Sequence, residues 1–326
     1  MTYSSGGLIQ ATDYNGFVST TANANINATW NSTYGQTALA TVSAGGVVSA
    51  TQWATLVNTI TSIGSHQGTT VTSRTAPVTG NTITALSNVS TDIGNIYTHR
   101  YSANAVGSQY TAWTGTASKT TSTGSGTGPW TITFTDTITF ANTTAASNFF
   151  GAGGYIQVQF GKTSTGTVAD TEWNTFIGAA GAGGTVAGKV ILTSDASSKT
   201  ITGISLQGTG KVGGTGTPST LATGIGYNQL TGTPQTIYKQ FDSGTAYSGN
   251  YVQINASISG AVITLTTTWY DNGDTNVGST PIITGGTATT GISWGTAPST
   301  VVTYYPPETT YLTSTWGTPT VASSVA

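Results

Sequence analysis

Two histidines and ten carboxylates are the residues from which acid–base or metal chemistry would have to be built in this 326-residue chain. Catalysis or metal binding needs partners: a nucleophile with a base and an orienting acid, or three or more ligands converging on one point. The sequence shows no such set. His66-Gln67 reads as a pair bonding across the turn after a helix, and His99-Arg100 as cations at the negative end of another helix. Asp170 and Glu172 lie close, but two residues apart on a helix they point in different directions. Asp170 reads better as a helix N-cap with Glu172 in the first turn, and the facing carboxyls of a glycosidase are not indicated. Asp271-Asn272-Gly273-Asp274 resembles the start of a calcium loop but lacks the later Glu, so an Asn-Gly turn between strands accounts for it. Gly208-Thr209-Gly210-Lys211 and Gly161-Lys162-Thr163 lack the spacing of a phosphate loop. The expectation is no catalytic residue, no cofactor and no bound metal.

What the chain does have is an unusual surface chemistry. Charged residues are 6% of the sequence, against about 25% in an ordinary soluble domain. Glycine numbers 44, near double its usual share of roughly 7%. Thr, Ser and Asn occupy the positions that Lys and Glu would normally fill. Thr is β-branched and suits a pleated, half-buried surface. Its neutral hydroxyl enters a protein–protein contact without the desolvation cost of a charge. Eight Trp, fifteen Tyr and a net charge of −2 argue against disorder. That charge also argues against a nucleic-acid partner, and no apolar run approaches the ~18 residues that span a bilayer. Without cysteine there are no disulfides or thiolate sites. Met1 to Gln10 lacks the basic and apolar regions of a signal peptide, so synthesis in a cytoplasm is expected.

Three apolar stripes of helical period fall in residues 1–105. The first runs Leu8, Tyr14, Phe17, Val18, Ala22, Ile26, Trp30 and is closed by Gly35. The second opens on a Ser49/Gln52 capping box, carries Trp53, Leu56, Val57, Ile60 and Ile63, and has Gly64 where a C-terminal cap belongs. The third runs Ile83, Leu86, Ser90, Ile93, Tyr97, Arg100 in heptad-like steps. Rich in Thr and Asn, these helices need packing partners to persist. Residues 106–128 read as a Gly/Ser/Thr-rich linker. From 129 to 326 the period changes to two. Strands are expected at Trp130–Phe140, Tyr155–Phe160, Val190–Leu192, Ile201–Leu206, Ile237–Phe241, Tyr251–Ile258 and Val262–Tyr270, the last two as a hairpin. One helix is expected among them, around Trp173. After Trp294 an extended aromatic tail reads as lying on a partner. The fold class is therefore α+β, a small N-terminal helical module followed by a β-sandwich or jelly-roll-like domain.

Several stretches together resemble virion structural proteins of contractile-tailed marine cyanophages. They are Gly7-Leu-Ile-Gln-Ala-Thr-Asp-Tyr-Asn15, Tyr34-Gly-Gln36, the Val-Ser-Ala-Gly-Gly run at 42–46, and Gln52-Trp53 followed by Ser65-His-Gln-Gly-Thr69. Further on come Gly115-Thr-Ala-Ser-Lys119, the Trp130–Phe140 strands with Phe149-Phe150, and Gly161 to Trp173. The likeness covers most of the chain and is densest up to about residue 180. It implies a collar, fibre or baseplate accessory component with no catalytic motif. The expected partners are copies of the chain itself, as a trimer or ring, and other phage head, neck or tail proteins. An adhesin recognising host surface glycan through the β-domain is the alternative. The assembly patch is expected to be Trp53, Leu56 and Ile60 with Ile83, Leu86, Ile93 and Tyr97.

Overall fold

The computed structural model describes residues 10–19, 24–80, 86–103, 115–118, 129–161, 173, 189–195, 211–213, 225–241, 249–272 and 298–326. The chain divides into two compact units, and both are discontinuous in sequence. One comprises Met1–Tyr110, Thr143–Gly154 and Pro306–Gly317, and the other Thr111–Asn142, Tyr155–Tyr305 and Thr318–Ala326. The expected organisation, a module over 1–105, a linker over 106–128 and a β-domain over 129–326, assigned 143–154 and 306–317 to the β-domain. They instead complete the helical unit.

In the helical unit, α1 (Ala11–Val18) and α2 (Ile26–Trp30) are separate helices where the first stripe predicts one segment. Asn25 breaks the run by capping α2, its side chain accepting from the Ala28 amide at 3.0 Å. Leu8 and Ala22 lie outside the described residues. Helix α3 (Ala50–Gln67) begins on the expected capping box, with Ser49 Oγ accepting from Gln52 N and Gln52 Oε1 from Ser49 N. It runs one turn past Gly64 and ends at Gly68, which takes the left-handed conformation at φ +71°. Helix α4 (Leu86–Thr98) buries Val89, Asp92, Ile93 and Ile96, while Ser90 is exposed and Tyr97 half-buried. Its inner face is thus turned from the heptad seam expected through Ser90 and Tyr97.

Helix α5 (Thr143–Gly151) lies in the region where the sequence predicts strands and a single helix around Trp173. Ala145, Ala146, Phe149 and Phe150, all buried, recur at a helical interval, and the two Phe rings meet edge-on at 5.1 Å. The 306–317 segment buries Leu312 and Trp316 in the same unit, so Trp316 is not offered to a partner as expected, while Tyr311 stays exposed.

The second unit is a β-sandwich. One antiparallel sheet has the order β1 (Gly115–Ser118), β9 (Ser299–Tyr305), β3 (Tyr155–Gly161), β4 (Lys189–Leu192). The other has the order β10 (Thr320–Val325), β2 (Trp130–Thr139), β8 (Val262–Asp271), β7 (Tyr251–Ser259), β6 (Gln235–Phe241), β5 (Lys211–Gly213). Strict alternation drives the larger sheet. Trp130, Ile132, Phe134, Asp136 and Ile138 of β2 point inward while Thr131, Thr133, Thr135, Thr137 and Thr139 point out. The β7–β8 hairpin turns at Gly260, φ +59°. Phe160 of β3 joins the sheets, packing edge-on to Trp269 of β8 at 6.1 Å and against Tyr238 of β6 at 5.7 Å. Trp173 lies 5.5 Å from Trp269. Within the stretch read as linker, 115–118 is a strand, and the tail after Trp294 supplies β9 and β10, one strand to each sheet. The expected strand at 201–206 and the rest of the helix around Trp173 lie outside the described residues.

Much of the helical unit is irregular backbone, and carboxamide side chains satisfy it. Asn15 Nδ2 donates to Val42 O and Asn15 Oδ1 accepts from Val42 N, both at 2.8 Å. Asn27 clamps Leu39 in the same two-point way, at 2.9 Å each. Gln36 clamps Thr313, donating at 2.8 Å and accepting at 2.9 Å, and also donates to Tyr34 O. A carboxamide has donor and acceptor side by side, so it imitates a strand neighbour. Gln36→Glu removes both donations and opposes an oxygen to two carbonyls. We predict a loss of about 2–4 kcal/mol of stability, measured by urea unfolding; a loss under about 0.5 kcal/mol removes the clamp from this role.

Candidate functional site

The stripe expected to form the assembly patch is core. Trp53, Leu56, Ile60 and Ile93 are at most 3% exposed within their own unit. Trp53 is held by Tyr14 and Phe17 of α1, at ring separations of 6.2 and 6.0 Å. Side chains that already bury one another cannot also cover a second molecule, so this patch is withdrawn as an interface. Tyr97 packs its ring under the Arg100 guanidinium, 4.1 Å from the centroid. The side chains of Ile83 and Leu86 lie outside the described residues.

The histidines are placed apart. His66 is buried with Nε2 2.8 Å from the carbonyl of Ala152, so Nε2 carries the hydrogen and donates it. This bond runs to the residue after α5, while Gln67 Oε1 accepts from Thr69 Oγ1 at 3.0 Å across the turn after α3, as expected of the pair. Gln67 also donates to the Tyr34 hydroxyl at 2.7 Å and to Ile96 O at 2.9 Å. Tyr34 in turn donates to Arg100 O at 2.9 Å. Burial pushes the Tyr34 phenol well above its ordinary pKa, against smaller opposing effects of the Gln67 hydrogen bond and the Arg100 charge, so it remains a neutral donor. His99 is exposed, its Nδ1 donating to Asn95 O at the C-terminal end of α4, as its position in the sequence suggests. Gly35 sits at the centre of this hub with φ +69°. A Cβ there would fall 2.0 Å from the Asn148 amide nitrogen.

One ion pair is internal: Arg74 meets Asp92 at 2.6 Å, both side chains about 5% exposed. Asp92 also accepts from Thr72 N, tying the chain after α3 to α4. This network positions backbone. Among the described residues no group of three or more His, Cys, Asp or Glu could hold a metal ion. Among them also, no helix is long and apolar enough to cross a membrane.

Inside the sandwich the anomaly is Asp136, a carboxyl on the inward face of β2 and 1% exposed. Ser323, its register partner on β10, donates to Oδ1, while Oδ2 has no hydrogen-bond partner among the described residues. Burial raises its pKa, and the Ser323 hydrogen bond only partly offsets this.

The outward face of the six-stranded sheet is where sequence reasoning missed most. Strand register sets Thr131, Tyr270 and Tyr251 in one row, then Thr133, Thr268, Gln253 and Lys239, then Thr135, Thr266, Asn255 and Thr236. The rings of Tyr251 and Tyr270 stack at 4.6 Å and 15°. Lys239 Nζ lies 3.7 Å from the Tyr251 centroid. Asn255 Oδ1 accepts from Thr236 at 2.9 Å and from Gln253 at 2.8 Å. Tyr270 OH lies within 3.5 Å of Asn272 Oδ1, and Asn272 is held by its backbone amide on Asn250. The expected Asn-Gly turn at 271–274 is described only to Asn272. Period-two alternation could have flagged the outward residues; their cross-strand partners only register reveals.

Asp136 carries a prediction. The folded chain binds the Asp136 proton more tightly than the unfolded chain, so stability is lost as pH rises above the unfolded carboxyl range near ~3.9. Asp136→Asn has no proton to lose. Its unfolding free energy is expected to gain on the parent as pH climbs from roughly 3 to 7, measured by denaturant titration at each pH. A difference that stays flat over that range acquits the carboxyl.

Comparison of the chain with protein-family models, with curated proteins and with solved structures finds no match.

Proposed function

We propose that the protein is a non-enzymatic structural component of a phage virion, of the collar, fibre or baseplate accessory type, acting by oligomerisation and docking to other head, neck or tail proteins. The reading makes it a virion resident assembled in the host cytoplasm, without nucleic-acid or membrane partners. It rests on the sequence resemblance together with one structural observation, the edge of the six-stranded sheet. Among the described residues β10 bonds in a ladder to β2 alone, while β1 at the edge of the other sheet lies near it without pairing. Thr133 and Ala326 exchange both backbone hydrogen bonds, so in an antiparallel ladder Ser324, Ala322 and Thr320 repeat that inward pairing. Val321, Ser323 and Val325 then turn their N–H and C=O groups to the outer edge. Ala322, Ser323 and Ser324 are exposed. Monomeric proteins guard such edges with Lys, Pro or bulges. Thr320–Val325 contains no charge and no proline.

An edge of this kind accepts another strand, and an uncharged one does so without stripping water from ions. A second copy of the chain fits a closed homo-oligomer. Many copies then make modest contacts strong together.

A second reading is favoured by a specific observation. The stacked Tyr251–Tyr270 pair, half-exposed beside Asn272, suits recognition of a host surface glycan by the β-domain. It is compatible with a role in the virion.

Val321→Pro removes one outward N–H and leaves the β2 ladder intact. In sedimentation velocity the parent is expected to run as an oligomer and the variant as a smaller species of unchanged unfolding temperature. A parent that is monomeric at all concentrations, and that particles lacking the protein fail to take up, ends the assembly reading.

A further inference from the structure

We infer that β10 pairs antiparallel with β10 of a second copy of the chain, about a two-fold axis at Ser323, so that two six-stranded sheets become one continuous sheet. The inference rests on the assembly reading above and fixes the contact through which it acts. Along β10, Thr320, Ala322 and Ser324 spend their backbone groups on β2, and Val321, Ser323 and Val325 turn theirs outward. No described residue bonds to those outward groups, and β1 lies near the strand without pairing to it. Ser323 is exposed although its side chain reaches in to Asp136, so it is the edge of the strand that faces solvent.

The residues of the edge say what meets it. The outward series Val321, Ser323, Val325 reads the same in both directions. A contact between identical copies about a two-fold requires that property, since residue i meets j wherever j meets i. An axis normal to the sheet reverses the strand but keeps its core side, so the alternation of inward and outward side chains continues from one copy to the next. With Ser323 on the axis, Ser323 faces its own counterpart, and Val321 of each copy faces Val325 of the other. Each of these pairs exchanges N–H and C=O in both senses. Pairs of β-branched Val are favourable across a ladder, and Thr320–Val325 has no charge to repel its counterpart. Between them Ala322 faces Ser324, and these small side chains admit a close approach.

Slipping the pair by one ladder step breaks the match. In one direction Val325 comes opposite Pro319, which has no N–H to donate. In either direction Val meets Ser where it had met Val. A strand from an unrelated protein need not share the symmetry of this edge, and the symmetry therefore favours a second copy. A two-fold contact closes on itself, giving a defined pair in place of an open filament.

The chain has no cysteine, so engineered thiols report without background from native ones. In this register Ala322 of one copy and Ser324 of the other form a non-hydrogen-bonded pair with Cα atoms about 4.5 Å apart, a separation that a disulfide spans. Like positions lie about 7–8 Å apart on the diagonal, at or beyond its reach. The test mixes equal amounts of the full chain carrying Ala322→Cys and the full chain carrying Ser324→Cys, with glutathione disulfide as oxidant. Mixed dimers are expected roughly fivefold above the homodimers of either variant alone, read by non-reducing electrophoresis and mass spectrometry. Thr264→Cys, on β8 and away from the edge, sets the level reached by random collision. Unfolding temperatures show that each variant is folded; should either fail, Ser323→Cys, on the axis, is expected to cross-link to itself. Homodimers of Ala322→Cys or Ser324→Cys that match or exceed the mixed product overturn the register and its axis. A parent that sediments as an oligomer while no β10 thiol cross-links above the collision level overturns this contact and leaves assembly to another surface. A parent that is monomeric at all concentrations removes the contact together with the assembly reading.

Discussion

The constraint on which the helical unit depends is that irregular backbone buried near helices must still find hydrogen-bond partners. A buried carbonyl or amide left alone costs about 1–3 kcal/mol. This chain meets the demand with carboxamides and hydroxyls. Asn15, Asn27 and Gln36 each grip a distant residue by both its N–H and its C=O. Tyr34 and Gln67 connect the loop after α2 to the ends of α3 and α4. Take these away and the five helices of the unit would have to hold together on apolar contact alone, with weak intrinsic propensity. The scarcity of charge in the composition and the abundance of amide clamps are two sides of one solution.

The sandwich solves the same problem with strands. Its inner faces are apolar where β2, β7 and β8 alternate, and its outer face is hydroxyl. Asp136 of β2 and Thr267 and Asp271 of β8 break the inner pattern. Asp136 is coupled through Ser323 to β10, so the strand at the sheet's end reports directly to the core. The carboxyl disfavours its own charged state, and a core this apolar tolerates it chiefly because protonation is available.

These two economies leave the molecular surface short of ions. On such a surface neither long-range steering nor salt bridges can select partners. On the proposed reading, selection would fall to shape, backbone edges and stacked rings, of which β10 and the Tyr251–Tyr270 pair are examples. A virion component presented in many copies suits that regime, since each contact can be modest.

Local chemistry was legible in the residues themselves. The Ser49/Gln52 box starts α3 because both partners lie within one turn. The alternation of β2 and the Gly260 turn of the β7–β8 hairpin are likewise short-range, and with them the α+β class. What needed tertiary structure was every question of which neighbour a face meets. Trp53, Leu56, Ile60 and Ile93 form a stripe on paper whether they face a second molecule or one another; packing of α1 against α3 made them core. The sequence places the end of α3 at Gly64; in the structure that glycine is inside the helix, where Val71 and the Thr69 carbonyl come within 3.0 Å of where its side chain would begin, and Gly68 is the cap. The aromatic tail became β9 and β10 through pairings with residues up to about 190 positions away. Tyr251 and Tyr270 acquire meaning only through strand register. Periodicity along one segment reports which side chains share a face, and says nothing of what stands opposite, because that is set by contacts between segments that no local rule encodes.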